Sequence, residues 1–431
     1  MKSSIVISAV VAAIWAAAGN AAEFSYGAEV GVGTSDNIRR VPSGEESETI
    51  LTTGIELAVL REEGRLHSNV DLDLSYYDYQ DEAYDGEVTG IANADLRYLF
   101  VPGRFEWVLI DSFGQSEIDP FAASTPDNRE NINYFTTGPD FTARLGSVGS
   151  LTLFGRYSAT QFEDSNFDDE RLLGGFSLGR DLSARSNVSL NATTERVEFD
   201  DETAGSNYDR QSAFLRYEIE GARTTIGAEA GYSEIHDNGT SNGSPIFVLD
   251  ITRDLSARSA LTLRGSLRSS DAASAMRAGN EIGGGSPGGP DQVSTTEPFD
   301  MTQVSLGWQF TTLRTTFTMS AGYEEDDYEI SDQLNRERQN FQVSASRQIT
   351  PRLTLRAQAS LFSSDYDTAG QDDDETQFGL HLSWNATGRL FVEVDVENFS
   401  RDSSNALSEY DETRAFLRLA WRNSGGASGA R

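Results

Sequence analysis

Apolar and polar residues alternate with a period of two along most of this chain, from residue 24 onward. In the segments 70–76 (VDLDLSY), 261–267 (LTLRGSL) and 353–359 (LTLRAQA), every second residue is apolar or small. A period of two places successive side chains on opposite faces of a β-strand. The pattern therefore predicts strands with one apolar face and one polar, often charged face, and it predicts no amphipathic helix after residue 24.

The connections between these strands alternate in length. Nine short, turn-like links lie near residues 61–64, 101–103, 146–149, 180–186, 221–223, 253–259, 312–314, 348–351 and 385–388, and the string RDLSARS occurs twice among them, at 180–186 and 253–259. Between successive short links lie longer polar segments with runs of carboxylates, at 81–85, 168–170, 200–202, 324–327 and 372–375. Nine short turns joining ten hairpins predict about twenty antiparallel strands, each long enough to cross a bilayer when tilted.

The alternation of short and long connections favours one all-β architecture. Outer-membrane barrels have short periplasmic turns, longer external loops, an apolar lipid face and a polar lumen. Closure also removes every sheet edge, as a membrane requires. We therefore predict a closed antiparallel transmembrane β-barrel of about 18–20 strands with short periplasmic turns and long acidic outer loops. The alternative, an extracellular β-solenoid, would need shorter and more regular repeats.

The first residues have a different pattern. Met1-Lys2 is a short charged start, residues 5–18 form an apolar run, and small residues follow at 19–22. This is typical of a secretory signal peptide, and the run is too short for a membrane-spanning helix. We predict a signal peptide at 1–22 cleaved after Ala21 or Ala22, a barrel at 23–422 in the outer membrane, a Gly/Ser/Pro-rich outer loop at 271–297 and a flexible tail at 423–431.

Composition narrows the function further. The 431 residues include 34 basic and 68 acidic side chains, which gives a net charge of −34, and there is no cysteine. So acidic a chain is not expected to bind nucleic acid, which usually requires a basic face. Without cysteine, disulfide frameworks and thiolate metal sites are excluded. The apolar fraction of 38% fits a barrel, because the lumen-facing half of each strand is polar.

Short motifs in the first hairpins carry a resemblance. TSDNI (34–38), PSG (42–44) and ESET (46–49) follow the first strand, and YYDY (76–79) ends a later one. This opening resembles the β-barrel porins of Gram-negative bacteria of the "beta-barrel porin 2" type, and their relatives associated with exosortase and exopolysaccharide gene clusters. The resemblance covers residues 24–80 in motif. It implies an outer-membrane location and a role in passage or export, with polysaccharide as one cargo, and it carries over no binding residue.

Charged residues on the polar strand faces are the candidate lumen lining. These are Arg156, Arg216, Arg264, Arg268, Arg356, Arg418, Asp71, Asp73, Glu393 and Asp395. In one interpretation they pair across neighbouring strands and brace the wall. In the other they form a constriction with separated charge that orders a hydrated solute. The pattern leaves both open.

Signs of catalysis or metal binding are weak. The three histidines are His67, His236 and His381, and neither a Gly-x-Ser-x-Gly nor a His-Glu-x-x-His motif is present. The runs 324–327 and 372–375 could hold Ca²⁺, but they lack EF-hand spacing and are better interpreted as solvated loops at the lipopolysaccharide surface. We expect no enzyme activity and no cofactor.

Aromatic residues near strand ends are expected to form interfacial girdles. The set comprises Tyr26, Tyr76, Phe100, Trp107, Tyr134, Trp308, Trp384, Phe399 and Trp421. The resulting functional expectation is a channel for polar solutes that supports exopolysaccharide export, with a structural or surface-interaction protein as the alternative. Expected partners are outer-membrane lipid, lipopolysaccharide, the barrel-insertion machinery, and a polysaccharide or small polar solute. The 271–297 loop is expected to be either a constriction or a surface tip.

Overall fold

The computed structural model describes residues 23–201, 205–237, 240–276 and 293–424, and these form twenty β-strands. In chain order the strands are β1 (Glu23–Ser35), β2 (Glu48–Arg61), β3 (Leu66–Tyr79), β4 (Glu87–Val101), β5 (Phe105–Glu117), β6 (Arg129–Leu145), β7 (Gly149–Phe162), β8 (Asp169–Ser183), β9 (Ser186–Phe199), β10 (Tyr208–Glu220), β11 (Thr224–Asp237), β12 (Thr240–Ser256), β13 (Ser259–Ser270), β14 (Phe299–Thr311), β15 (Thr315–Tyr328), β16 (Arg336–Thr350), β17 (Leu353–Tyr366), β18 (Gln371–Asn385), β19 (Leu390–Ser403) and β20 (Tyr410–Ser424).

Each strand pairs antiparallel with the next, and β1 pairs with β20, so the sheet closes on itself. In the closing pair Ser25 lies opposite Ser424 and Ser35 lies opposite Arg414. Closure satisfies the backbone hydrogen bonds that both edges would otherwise expose. The predicted closed antiparallel barrel of 18–20 strands is confirmed, at the upper end of that range.

The two rims of the barrel differ in their connections. All nine short links predicted from the sequence lie at one rim, here called the short-turn rim, where β1 begins and β20 ends. Two of these turns place Gly103 and Gly388 at φ of 69° and 86°, a left-handed conformation that residues with a Cβ rarely adopt. The longer connections lie at the opposite end, here called the long-loop rim.

The outward face is apolar. Leu215, Phe378 and Leu417 are among the large apolar side chains left more than half exposed on this face. Near the short-turn rim aromatic rings pack side by side, with Tyr26 and Trp421 at 5.4 Å between centroids. Phe105 and Phe141, on adjacent strands, stack at 4.6 Å. The wall therefore carries the apolar band and aromatic girdle expected of a surface in contact with lipid.

Two residues assigned to the girdle from sequence lie elsewhere. Tyr134 packs against Ala272 and Ala273, and Phe399 lies under the guanidinium groups of Arg40 and Arg414, so both face inward. An aromatic residue near a strand end faces lipid or lumen according to whether it occupies an outward or an inward position of the alternation. Which positions are inward depends on the strand register, which closure of the sheet determines.

Two acidic runs expected in loops lie in strands instead. Residues 324–327 belong to β15 and residues 372–375 belong to β18. Their carboxylates alternate in direction, so Asp326 and Asp373 point inward and meet arginines, at 2.8 and 2.6 Å. The strands extend into segments that composition alone assigns to loops, because inward carboxylates gain arginine partners there.

The predicted signal peptide, outer loop and C-terminal tail lie wholly or partly outside the described residues. The proposed signal peptide at 1–22 falls there entirely, as do residues 277–292 of the long loop and 425–431 of the tail. β20 continues to Ser424, two residues into the predicted tail. The helices described are a single turn at 272–276 and 3-10 turns at Pro126–Asn128 and Asp332–Leu334. No helix in the described part of the chain is long and apolar enough to cross a membrane.

Candidate functional site: the lumen and its entrance

The candidate site is the inner face of the barrel, which the strand register defines. Residues paired across an antiparallel ladder point to the same side of the sheet. The register places all ten predicted lumen charges on the inward parity, on seven strands: Asp71 and Asp73 on β3, Arg156 on β7, Arg216 on β10, Arg264 and Arg268 on β13, Arg356 on β17, Glu393 and Asp395 on β19, and Arg418 on β20. These charges therefore line the inside of the closed sheet.

The densest inward charge network spans β19, β20, β1 and β2. Arg418 donates to Asp395 at 2.6 Å, and its Nε lies 3.6 Å from Glu29. Arg422 lies four residues further along β20, nearer the short-turn rim, and it donates to Glu393 at 2.5 Å and to Glu56 at 2.8 Å. Each arginine therefore bridges strands on both sides of β20. These contacts stabilise the junction at which the first and last strands pair to close the barrel.

Elsewhere the predicted arginines pair locally. Arg156 on β7 lies 2.5 Å from Asp140 on β6. Arg216 contacts Glu218 on its own strand at 2.6 Å and Glu229 on β11 at 3.3 Å. The structure therefore places these arginines beside carboxylates of the same or the neighbouring strand, and it brings Arg418 together with Asp395.

Sequence reasoning missed three members of the network. Glu29, Glu56 and Arg422 all lie on the inward face, and the alternation of β1, β2 and β20 contains the signal that could have found them. Glu29 alternates with the outward Ala28 and Val30, and it lies in a strand rich in small residues. Because the two faces of this strand differ little in polarity, its inward face was not recognised as polar from the sequence.

His381 is the one histidine inside the middle of the barrel. Its Nδ1 lies 2.5 Å from Asp395. Ser383, two residues along, donates its hydroxyl to Glu393 at 3.0 Å. A serine hydrolase would need the serine hydroxyl to bond the imidazole, so this arrangement serves the wall network. No group of three or more metal-binding side chains is found within the described ranges.

The connection between β5 and β6, residues 118–128, folds over the lumen at the long-loop rim. It contacts strands on the far side of the barrel: Gln371 on β18 donates to the carbonyl of Phe121 at 3.0 Å, and Arg401 on β19 donates to that of Ala122 at 2.7 Å. The segment is braced internally because the Asn128 amide donates to the carbonyls of Asp119 and Ala123. Residues 118–128 therefore form an ordered bridge across the entrance.

Arg40, in the connection between β1 and β2, ties this bridge to the wall. Its Nε donates to Glu412 at 2.9 Å and its Nη1 donates to the carbonyl of Ser124 at 2.6 Å. The guanidinium lies 5.0 Å from the ring centroids of both Phe399 and Tyr410, and only 2% of the residue is exposed. Its φ of 51° is left-handed, which costs about 1 kcal/mol for a residue with a Cβ. The surrounding contacts hold this strained conformation in place.

The connection between β13 and β14 also enters the lumen, at both of its described ends. On the β13 side, the helical turn 272–276 packs against Ile132, Tyr134 and Phe162 of β6 and β7. On the β14 side, the backbone N–H of Ser294 donates to the carbonyl of Glu117 on β5 at 2.7 Å, and the hydroxyls of Ser116 and Ser294 lie 2.8 Å apart. We call residues 271–276 and 293–298 the two arms. Each arm reaches strands well round the barrel from the strand to which it is joined.

Asp271 anchors the first arm. Its carboxylate accepts hydrogen bonds from Arg171 at 2.9 Å and Arg210 at 3.2 Å, and from the backbone N–H and hydroxyl of Ser274. Burial alone would favour the protonated acid, but the two guanidinium groups outweigh it and hold the pKa of Asp271 well below its ordinary value. The arm is therefore anchored by a carboxylate that stays ionised in acid.

This anchor predicts how docking of the arm depends on pH. A carboxyl group with a lowered folded pKa stabilises the folded form above its unfolded pKa, near 3.9, and loses that contribution as the pH falls through the folded value. We expect the amides of Ser274 and Ala275 to keep the same protection from hydrogen exchange, corrected for intrinsic rates, at pH 7 and pH 5. Asp271→Asn should lower that protection at both. Protection lost between pH 7 and pH 5 in the unaltered chain would contradict the assignment.

Comparisons with known proteins agree with this geometry. A family model described as "Putative beta-barrel porin 2" matches residues 300–423, which span β14 to β20. The resemblance inferred from the sequence is thereby confirmed, although the matched region lies at the opposite end of the chain from the motifs at 24–80. No curated protein matches the chain in sequence.

Several solved structures are similar to this chain. A mutant of the ferric enterobactin receptor PfeA from Pseudomonas aeruginosa is 10% identical, with a TM-score of 0.50, over 93% of this chain and 80% of that chain. The FrpB iron transporter from Neisseria meningitidis is 10% identical, with a TM-score of 0.46, over 93% and 81%. OccK2 (OpdF) from P. aeruginosa is 13% identical, with a TM-score of 0.39, over 94% and 98%. The chain thus has the porin-like fold of an outer-membrane β-barrel, and its last seven strands match the beta-barrel porin 2 family.

Proposed function

We propose that this protein is an outer-membrane conduit for polar solutes, exported by its N-terminal segment and narrowed at the long-loop rim by the bridge 118–128 and the two arms. The observation that carries the proposal is the inward face, where charged and polar side chains continue from one rim to the other. Such a lining stabilises a water-filled interior, and twenty strands enclose a lumen wide enough for an aqueous channel.

The resemblance to the beta-barrel porin 2 type adds a narrower version, in which the cargo is an exported polysaccharide. Carboxylate and guanidinium groups side by side along β19, β20 and β1 would offer both acceptors and donors to sugar hydroxyls. Loss of surface polysaccharide in a strain lacking the gene, restored by the gene, would support this version. Unchanged export would exclude polysaccharide as the cargo and would leave the general conduit proposal standing.

One observation favours a second candidate, a structural or surface-interaction protein without transport. The entrance is crossed by segments that are hydrogen-bonded to the far wall, as in the bonds from Gln371 and Arg401 to the bridge. A protein that never conducts would have no need of a lumen charged through its full depth.

Conductance in a planar lipid bilayer separates the two candidates. We expect the purified chain to conduct ions, and we expect a variant with residues 272–297 replaced by a short Gly/Ser linker to conduct several-fold more, because both arms leave the entrance. A matched control replaces residues 404–409, the β19–β20 connection at the same rim, with a linker of equal length. No conductance from the chain or from the 272–297 variant would refute the conduit.

A further inference from the structure

The inward charges below the bridge and arms are unevenly distributed around the lumen. On the five adjacent strands β19, β20, β1, β2 and β3 they comprise seven carboxylates, Glu393, Asp395, Glu397, Glu29, Glu56, Asp71 and Asp73, and three guanidinium groups, Arg414, Arg418 and Arg422. We call this surface the acidic wall. Its carboxylates exceed its guanidinium groups by four.

The wall opposite carries a smaller excess. On β10 to β13 the inward charges below the entrance comprise five carboxylates, Glu218, Glu220, Glu229, Asp250 and Asp254, and three guanidinium groups, Arg216, Arg264 and Arg268, so the excess is two. Arg264 lies five residues after the start of β13, and Asp71 lies five residues after the start of β3, ten strands away. The two therefore face one another across the lumen at similar height.

The arginines of the acidic wall do not cancel its carboxylates. Arg422 is shared between Glu393 and Glu56, with Glu29 at 3.9 Å, and Arg418 is shared between Asp395 and Glu29. Two guanidinium groups therefore serve four carboxylates. The Glu393 and Asp395 side chains are only 4% and 12% exposed, so water screens their charges less than it would at the surface.

We propose that the lumen is selective for cations, and that the acidic wall determines this selectivity by drawing cationic solutes along β19 to β3. The inference rests on the proposed conduit and adds its substrate class, small inorganic and organic cations. Fixed charge on a low-dielectric wall focuses the field into the water beside it and raises the local concentration of ions of opposite sign. The acidic long-loop rim adds to this attraction at the entrance.

The test is the reversal potential in a KCl gradient across a planar bilayer, measured on the purified chain and on the 272–297 linker variant. We expect K⁺ to permeate in preference to Cl⁻. The double variant Asp71→Asn/Asp73→Asn should lower the K⁺ to Cl⁻ permeability ratio roughly threefold or more, because each carboxylate acts on ions a few ångströms away. A matched control, Glu229→Gln/Asp250→Asn, removes the same charge from the opposite wall and should change the ratio less.

The outcomes separate this inference from the conduit itself. Conductance with a Cl⁻ preference, or with none, overturns cation selectivity and leaves the conduit standing. Equal effects of the two double variants would mean that the net charge of the lumen alone determines the K⁺ to Cl⁻ permeability ratio. That result would overturn the role of the acidic wall. Swelling of liposomes in arginine but not in glutamate would support the same inference for organic solutes. Heat-modifiable mobility on gels checks that each variant has folded.

Discussion

A disulfide between residues 116 and 294 is expected to form in the double variant Ser116→Cys/Ser294→Cys and to hold the second arm across the lumen. The two hydroxyl oxygens lie 2.8 Å apart, so the side chains already point at one another. Adjacent backbone pairing between Glu117 and Val293 keeps the two segments in register. Because the native chain has no cysteine, the engineered pair has no competitor.

The crosslink should suppress channel opening. While the disulfide is intact its two ends cannot separate, so a channel that opens by movement of the second arm away from β5 can open only in molecules that remain reduced. We therefore expect the frequency of large-conductance openings in the bilayer to fall at least about tenfold under oxidising conditions, and to recover on addition of reductant.

A second cysteine pair provides the control. The hydroxyls of Ser212 and Ser233 lie 2.9 Å apart on the inward faces of the neighbouring strands β10 and β11. A disulfide there joins strands that are already paired, so openings should not respond to reductant. If the control pair oxidises and the 116–294 pair remains reduced, the second arm does not reach β5 and does not narrow the entrance there.

Removing the guanidinium of Arg40 is expected to destabilise the barrel by about 3 kcal/mol. Arg40→Met keeps a long side chain, and it keeps the same left-handed backbone cost, but it leaves the buried Glu412 with one cationic partner, Arg414, in place of two. It also leaves the carbonyl of Ser124 without its donor. Breaking one side of a buried ion pair is costly because the remaining charge stays away from water.

The neighbouring residue offers a matched control. Arg39 pairs with Glu46 at 2.6 Å, but their side chains are 42% and 55% exposed. A solvent-exposed pair contributes about 0–1 kcal/mol, so Arg39→Met should be close to neutral. The free energy of unfolding, from urea titration of tryptophan fluorescence in detergent, measures both. Equal losses for the two variants would contradict the structural role given to Arg40.

Much of the architecture could be predicted from local signals. The number of strands followed from nine short turns, and the inward direction of residues such as Asp71 and Arg264 followed from parity within one strand. A period of two is a property of a few consecutive residues. Closure into a barrel followed because a membrane admits no open sheet edge.

The entrance could not be predicted in the same way. Residues 271–297 were expected to be either a constriction or a surface tip, and their described ends lie inside the barrel. The bridge 118–128 was not identified at all, because its composition, IDPFAASTPDN, is typical of any polar connection. Its bond to Gln371 joins residues 250 positions apart, and no local pattern encodes such a partner.

By itself, the sequence determined a barrel of about 18–20 strands, which side of most strands is polar, and that the chain carries an excess of carboxylates. Only the tertiary structure decided where that excess acts. Closing β1 against β20 brings Glu29 and Glu56 beside Arg418 and Arg422, and places an excess of carboxylates on one wall. The physical reason is that charge pairing depends on distances of a few ångströms, and in a barrel those distances are set by strand register and closure rather than by proximity along the chain.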